Sequence, residues 1–572
     1  RSYQYFAANA ISDRVSKIDW SDKQLRGGYI WHTTGSGKTM TSFKSAQLIA
    51  NSKDADKVIF LMDRIELGTQ SLREYRAFAE DNEEVQATED THALITKLKS
   101  KNPADTLIVT SIQKMSNIKD EEGGLNAADI ETMNSKRIVF IVDEAHRSTF
   151  GDMLITVKQT FPGAVFFGFT GTPIQKENQK KMNTTSTVFG DELHRYSIAD
   201  GIRDGNVLGF DPYKVLTYRD IDLRKAVALK MANAATEEDA IKDQEKAKKY
   251  YYYMDTVKVK MAGYREKSGN YVKGIEDYLP REQYERAEHQ KMVIQDILDN
   301  WLRLSHASKF HSIFATSSIP EAIEYYRLFK DSKPDLNITA LFDPNIDNNG
   351  GVKFKEDGLV EILEDYNAKY EQDFTLATHG KFKKDIAARL AHKKPYERIE
   401  RNPEKQIDLL IVVDQMLTGF DSKWVNTLYM DKVLKYENII QAFSRTNRLF
   451  GPDKPFGTIR YYRYPNTMER NINNAVALYS GNRPLGLFVE HLDYNLEKMN
   501  QIFADISRLF TVAGISDFSR LPDDLDECGK FAKLFSSLND YLEAAKIQGF
   551  SWKQQSYSFK NPKKVMEMIF DE

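Results

Sequence analysis

Apolar residues in the first part of this chain come in short unbroken runs rather than in alternation. They stand at Gly28–Trp31, Val58–Met62, Thr106–Thr110, Ile138–Val142 and Val165–Phe169. Each run is β-branched or aromatic and is bounded by polar segments. Strands buried on both faces have this pattern, so the runs predict a parallel sheet covered by helices. A second series begins at Phe310–Ala315 and continues through Ile338–Phe342, Leu409–Val413, Val425–Met430 and Thr458–Tyr461. Between the two, Asp211 to about Gln290 is rich in charge and tyrosine, including Tyr250–Tyr253. From about Asn482 to Glu572 the pattern turns helical, as in Leu485–Ile506. The expected architecture is α/β. It has one parallel-sheet lobe at 1–210, a connector with helices at 211–290, a second lobe at 291–480 and a helical region at 481–572.

Charge narrows the picture only slightly. The 572 residues carry 80 Lys+Arg against 83 Asp+Glu, a net of −3. That excludes a uniformly basic or acidic binding protein and leaves room for a local basic track. The basic runs Lys381–Lys394 and Lys560–Lys564 read as solvated faces. No stretch approaches the roughly 20 apolar residues of a membrane span, so no membrane partner is expected. The single cysteine, Cys528, excludes an intrachain disulfide framework and a multi-cysteine metal site, and favours a reducing, cytoplasmic setting. The opening Arg1-Ser2-Tyr3-Gln4, without Met, reads as the interior of a longer protein.

The sharpest chemistry is Gly28-Tyr29-Ile30-Trp31-His32-Thr33-Thr34-Gly35-Ser36-Gly37-Lys38-Thr39. An apolar strand runs into a glycine-containing loop, and a helical segment follows from Met40. Thr34, Gly35, Ser36 and Gly37 form a loop whose backbone N–H groups can hold phosphate oxygens. Lys38 is placed to reach the β- and γ-phosphates of ATP, and the Thr39 hydroxyl to bind Mg²⁺. The strict phosphate-loop pattern has glycine where this chain has His32. At the end of the run Ile138–Val142 come Asp143 and Glu144. Asp143 suits the Mg²⁺ ion, and Glu144 suits a base that activates the attacking water.

Asp143-Glu144-Ala145-His146 resembles the signature of superfamily 2 helicases and translocases, and the resemblance extends along the chain. Thr170-Gly171-Thr172-Pro173, Val413 to Asp421 and Gln441-Ala442-Phe443-Ser444-Arg445-Thr446-Asn447-Arg448 match further family motifs. The resemblance implies two RecA-like lobes. It implies an adenine contact for Gln4, and a role for Arg445 and Arg448 at the γ-phosphate from the second lobe. It also implies coupling roles for His146, Thr170, Thr172 and Gln441. Arg445 and Arg448 are three apart, so a helix puts both on one face.

Several stretches narrow the family further. Gly27 to Thr39, Asp63-Arg64 with Leu67 and Gln70, Thr110-Ser111-Ile112-Gln113-Lys114, Asp143 to Ser148, Phe167 to Pro173, and Phe189-Gly190 through Val207-Leu208 resemble the motor (R, or HsdR) subunit of type I restriction-modification enzymes. The likeness covers about Arg1 to Tyr479. It implies a DNA-dependent ATPase that moves along double-stranded DNA, with methyltransferase and specificity subunits as partners. It implies DNA contacts at Arg64, Thr110, Gln113 and Thr418, and a nuclease domain outside these residues. Small hydroxyls and amides on phosphate oxygens suit a motor, since they hold a strand without reading sequence. The alternatives are another superfamily 2 DNA or RNA helicase or remodeller, and a nucleotide-binding scaffold without turnover.

Overall fold

The computed structural model describes residues 1–21, 27–62, 86–87, 91–118, 126–145, 148–179, 183–343, 352–481, 492–515, 518 and 520–547. It divides into two units, Arg1–Gly201 and Ile202–Glu572. Both are α/β lobes built on parallel sheets.

The first sheet has seven strands: β1 (Gly28–His32), β2 (Lys57–Met62), β3 (Gln86–Ala87), β4 (Leu107–Ser111), β5 (Ile138–Val142), β6 (Val165–Thr170) and β7 (Glu192–Tyr196). Their order is β3-β4-β2-β5-β6-β1-β7, and every pairing is parallel. β1, β5 and β6 are buried along their whole length, which explains their unbroken apolar runs. Ile30, Phe43, Val58, Phe60, Val139, Ile141, Phe167 and Phe169 share one core with Ala7 and Ile11 of the helix Ser2–Ser16. That helix therefore belongs to the lobe.

β7 breaks the pattern that marks the other strands. Its sequence Glu-Leu-His-Arg-Tyr is half-exposed at the sheet edge, where charge guards against pairing with another chain.

The second sheet runs β12-β13-β11-β14-β15-β8, again all parallel. Its strands are β8 (Phe210–Lys214), β11 (His311–Thr316), β12 (Ile338–Leu341), β13 (Leu409–Val412), β14 (Val425–Asp431) and β15 (Gly457–Tyr461). A separate hairpin joins β9 (Tyr264–Arg265) to β10 (Tyr271–Val272). β8 comes from the boundary where the connector was expected to begin. It carries Pro212, which lacks a ladder donor and is tolerated because β8 is the edge strand.

The expected connector region is fastened to this second unit. The Glu276 carboxylate accepts the backbone N–H groups of Asn466 (3.0 Å) and Thr467 (2.7 Å), at the N-terminus of the helix Pro465–Tyr479. A carboxylate is stabilising there because the first N–H groups of a helix lack internal partners.

In the helical region, Leu492–Val512 packs on Leu525–Ile547 through Leu496, Met499, Phe503, Ile506, Leu538 and Leu542. The part of the expected Leu485–Ile506 helix before 492 lies outside the described residues. No helix among the described residues is long and apolar enough to cross a membrane.

A buried ionic cluster closes one end of the second sheet. Asp431, fully buried at the end of β14, accepts from His289 Nε2 (2.9 Å), Tyr325 Oη (2.9 Å) and Arg463 Nε and Nη2 (both 3.1 Å). Arg463 also donates to Glu321 and to the Tyr284 carbonyl. Burial alone would raise the Asp431 carboxyl, but His289 and Arg463 outweigh it and hold it far below the ordinary carboxylate range. Arg463→Met should therefore leave buried Glu321 without its cation and Asp431 with His289 as its remaining cationic partner, and cost about 3–5 kcal/mol. Urea denaturation of this variant against the wild type checks the loss, and Glu321→Gln in the same background should recover part of it.

Candidate nucleotide site

The first sheet gathers the candidate catalytic groups at the C-terminal ends of its strands. β1 ends at His32, the loop Thr33–Gly37 follows, and the helix Lys38–Ser52 begins at once. Gly35 and Gly37 have φ of +90° and +80°, a region glycine enters freely. A Cβ on Gly37 would also come within 2.9 Å of Gln4 Nε2. The backbone angle thus favours glycine at Gly37, and any side chain there would also displace the Gln4 amide.

β5 delivers Asp143 and Glu144 to the same edge. The Asp143 N–H continues the ladder to the Leu61 carbonyl of β2 (3.1 Å), and the Ala145 N–H bonds the Phe169 carbonyl of β6 (2.9 Å). Glu144 is held between them at φ +51°, a strained setting for a residue with a side chain. Its carboxylate lies 2.6 Å from Lys38 Nζ. Lys38 is nearly buried, with a side chain 7% exposed, while Glu144 is 36% exposed. Burial raises the Asp143 carboxyl to about 6, with Lys38 pulling it down and Glu144 pushing it up.

β6 lies between β5 and β1 in the sheet and adds Thr170 and Thr172, both buried. The Thr172 N–H bonds Thr170 Oγ1 at 3.1 Å. A Cβ on Gly171 would approach Thr34 N to 3.1 Å, and Trp31 Nε1 donates to the Gly171 carbonyl (3.2 Å). This segment therefore packs directly against the phosphate loop.

Gln4 is brought to the loop as well. Its Nε2 donates to the Gly37 carbonyl (3.3 Å) and to Thr41 Oγ1 (3.1 Å). His32, the departure from the strict pattern, is fully buried, with Nε2 3.0 Å from His194 Nδ1. Burial, then His194 and Lys38, lower it to about 3, so it adds no charge beside the phosphate loop at neutral pH. His194, Tyr196 and Tyr3 were not among the expected site residues. Tyr3 stands next to Gln4, which is the one signal in the sequence that pointed to it.

The remaining expected residues are dispersed. Thr110 is buried in β4, and Gln113 is exposed in the short helix Ile112–Ser116. Arg64 and His146 lie outside the described residues. In the second unit, Thr418 is exposed in the loop after β13, where Met416 and Gly419 have φ of +63° and +74°. Gln441 is buried in the helix Glu437–Phe443, and its carbonyl accepts Arg445 Nε at 3.1 Å. Arg448 Nε donates to Asp421 Oδ1 at 2.5 Å. Burial acts to raise the Asp421 carboxyl, but Arg448 and Arg445 outweigh it and hold it below its ordinary value.

The phosphate-loop residues fit an ATP–Mg²⁺ complex. Lys38, the Thr39 hydroxyl and Asp143 supply the hard oxygen and ammonium groups such a complex uses. Among the described residues no cluster of three or more His, Cys, Asp or Glu could hold a metal unaided. Mg²⁺ in such sites takes one or two protein ligands, with nucleotide and water filling the rest.

Comparison with known proteins places this geometry in a family. A SWI2/SNF2 ATPase profile matches residues 3–249, and a profile for domain 3 of type I restriction enzyme subunit R matches residues 308–464. The endonuclease subunit of a type I restriction enzyme from Staphylococcus aureus (strain COL) is 36% identical over 84% of this chain and 45% of its own length. A candidate type I restriction enzyme endonuclease subunit, C-terminal part, from Mycoplasma pneumoniae is 38% identical over 28% of this chain and 78% of its own length. The chain belongs to the R subunits of type I restriction enzymes. Among solved structures, a fragment of a candidate HsdR subunit from Vibrio vulnificus YJ016 covers 84% of this R-subunit chain and 66% of its own, with TM-score 0.46 and 15% identity. The R-subunit chain spans a little under half, 45%, of the length of its S. aureus relative.

Asp143 makes a pH prediction. Its folded carboxyl binds a proton near pH 6, while an unfolded aspartate does so only near about 3.9. Folding is therefore penalised above pH 6, and the penalty fades as pH falls toward 4. Asp143→Asn should stabilise the nucleotide-free protein by about 1–3 kcal/mol at pH 7 and much less at pH 4. Denaturation at the two pH values, without Mg²⁺, checks this.

Proposed function

We propose that this chain is the ATP-driven motor of a type I restriction endonuclease R subunit, coupling ATP hydrolysis to movement along double-stranded DNA. One observation carries the reading: Lys38 and Glu144 meet at 2.6 Å beside Asp143, at the strand ends where a SWI2/SNF2 ATPase profile matches. ATP supplies the phosphoryl group, and Mg²⁺ supplies charge neutralisation, when bound.

The chain's residues then have distinct tasks. The loop Thr34–Gly37 presents backbone N–H groups to phosphate oxygens. Thr39 and Asp143 would hold the metal ion. Lys38, turning its ammonium to the phosphates, gives up its hold on Glu144. Glu144 is then free to accept a proton from the attacking water. Arg445 and Arg448 contribute guanidinium charge to turnover, a role that rests on the motif; both lie past the end of the helix Glu437–Phe443 rather than on one helical face. Thr170, Thr172, His146 and Gln441 couple nucleotide state to movement.

Gln113 and Thr418, both exposed, suit phosphate contacts on DNA. Arg64 and Thr110 are carried by family resemblance alone. Methyltransferase and specificity subunits are the proposed partners within a restriction complex.

Steady-state ATPase assays with duplex DNA test the reading. Lys38→Ala should abolish DNA-stimulated hydrolysis. Glu144→Gln should bind ATP with near-normal affinity and turn it over far more slowly; a wild-type rate would remove Glu144 from the base role.

Arg448→Ala should lower turnover by about 10³-fold or more, as loss of a transition-state arginine does. Arg448→Lys should not restore it, because an ammonium lacks the planar fork. Normal rates in both Arg448→Ala and Arg445→Ala would contradict the arginine assignment.

A further inference from the structure

We propose that Tyr3 is a positioning residue for the phosphate loop: its hydroxyl sets the Ser36–Gly37 peptide plane so that the Gly37 N–H faces phosphate. The inference rests on the ATP-binding reading and deepens it.

Tyr3 is buried in the helix Ser2–Ser16, 8% exposed, and its hydroxyl donates to the Ser36 carbonyl at 2.5 Å. A trans peptide is planar, and its C=O and N–H point in opposite directions. Drawing the Ser36 carbonyl toward Tyr3 therefore turns the Gly37 N–H away from Tyr3. The next carbonyl, on Gly37, takes Gln4 Nε2 at 3.3 Å and the Thr41 N–H of the helix at 3.1 Å. Adjacent residues of one helix thus grip two successive carbonyls of the loop. The Gly37 carbonyl is also held by the helix that follows it, so the Gln4 contact supplements an existing bond. The Ser36 peptide precedes the helix and gains orientation from Tyr3.

The Tyr3 ring is itself seated. It stacks on Tyr196 with centroids 3.7 Å apart and planes 7° from parallel. It meets His32 edge-on at 5.3 Å. The Tyr196 carbonyl accepts the Thr33 N–H at 2.9 Å, so the residue under Tyr3 also fixes the start of the loop. His32 packs against both tyrosines, its centroid 6.0 Å from that of Tyr196, and is bonded to His194. The imidazole at the position where the strict pattern has glycine is therefore part of the seat that orients Tyr3. A glycine there would leave the ring edge without that wall.

The test compares the wild-type chain with Tyr3→Phe, which keeps the ring and its stacking and removes only the hydroxyl. Three quantities are read: ADP affinity with Mg²⁺, the ATPase KM and kcat with duplex DNA, and the melting temperature without nucleotide. The expected result is roughly a 5–10-fold loss of ADP affinity with a matching rise in KM, about the worth of one buried hydrogen bond. The nucleotide-free melting temperature should stay within about 2 °C of the wild type.

Affinity within twofold of the wild type would overturn the proposal. So would an affinity loss matched by a large drop in the nucleotide-free melting temperature, because the hydroxyl would then serve the fold alone. A wild-type chain that binds no ADP or ATP would contradict the ATP reading itself. Normal binding by both proteins contradicts only the role of Tyr3.

Discussion

The first lobe depends on one constraint of parallel sheets: all strands end on the same edge, and chemistry must be assembled across that edge. β1 and β5 are not neighbours, because β6 lies between them. Two strand spacings separate them, roughly 10 Å. The Lys38 side chain bridges this interval and ends 2.6 Å from Glu144. Gly171, just past β6, lies close against the phosphate loop, where a Cβ would meet Thr34 at 3.1 Å. The Thr170-Gly171-Thr172 segment is thus in contact with the phosphate loop on one side, and β6 receives the Ala145 N–H on the other.

Much of this was legible because burial on both faces leaves a plain signature. The runs at β1, β2, β4, β5 and β6 read as strands because apolar residues dominate them and polar ones stand at their ends. Where a strand sits at a sheet edge, the signature disappears. β7 reads as Glu-Leu-His-Arg-Tyr and β8 as Phe-Asp-Pro-Tyr-Lys, and neither has an apolar run. The short spacing of Gly35, Gly37, Lys38 and Thr39 made the loop recognisable, because backbone approach and charge dictate those residue types. The roles of Tyr196 and His194 were not legible, and that of Tyr3 only through its place beside Gln4. Their relation to the loop comes from packing between segments far apart in sequence, and no local pattern encodes it.

The second lobe keeps its own charged groups in order by a different means. Asp421 draws Arg448 to 2.5 Å, and Arg445 bonds back to the Gln441 carbonyl. Arg445 is thus held by the preceding turn of its own segment, and Arg448 by a carboxylate 27 residues earlier in the chain. Guanidinium groups held in this way lose less rotamer freedom when they engage an anion. The Asp431–Arg463 cluster, at the end of β14, anchors the helices Ala287–Leu304 and Ile319–Ser332 to the sheet and carries no part of the proposed chemistry.

Membership in the R-subunit family and the geometry of the candidate nucleotide site support the proposal of a motor whose ATP turnover answers to duplex DNA. The most direct test is steady-state ATP hydrolysis by this chain with duplex DNA, single-stranded DNA and RNA measured side by side. The account predicts hydrolysis that rises with duplex DNA well above the rates with either single strand. No turnover under any condition, or equal stimulation by RNA, would contradict it.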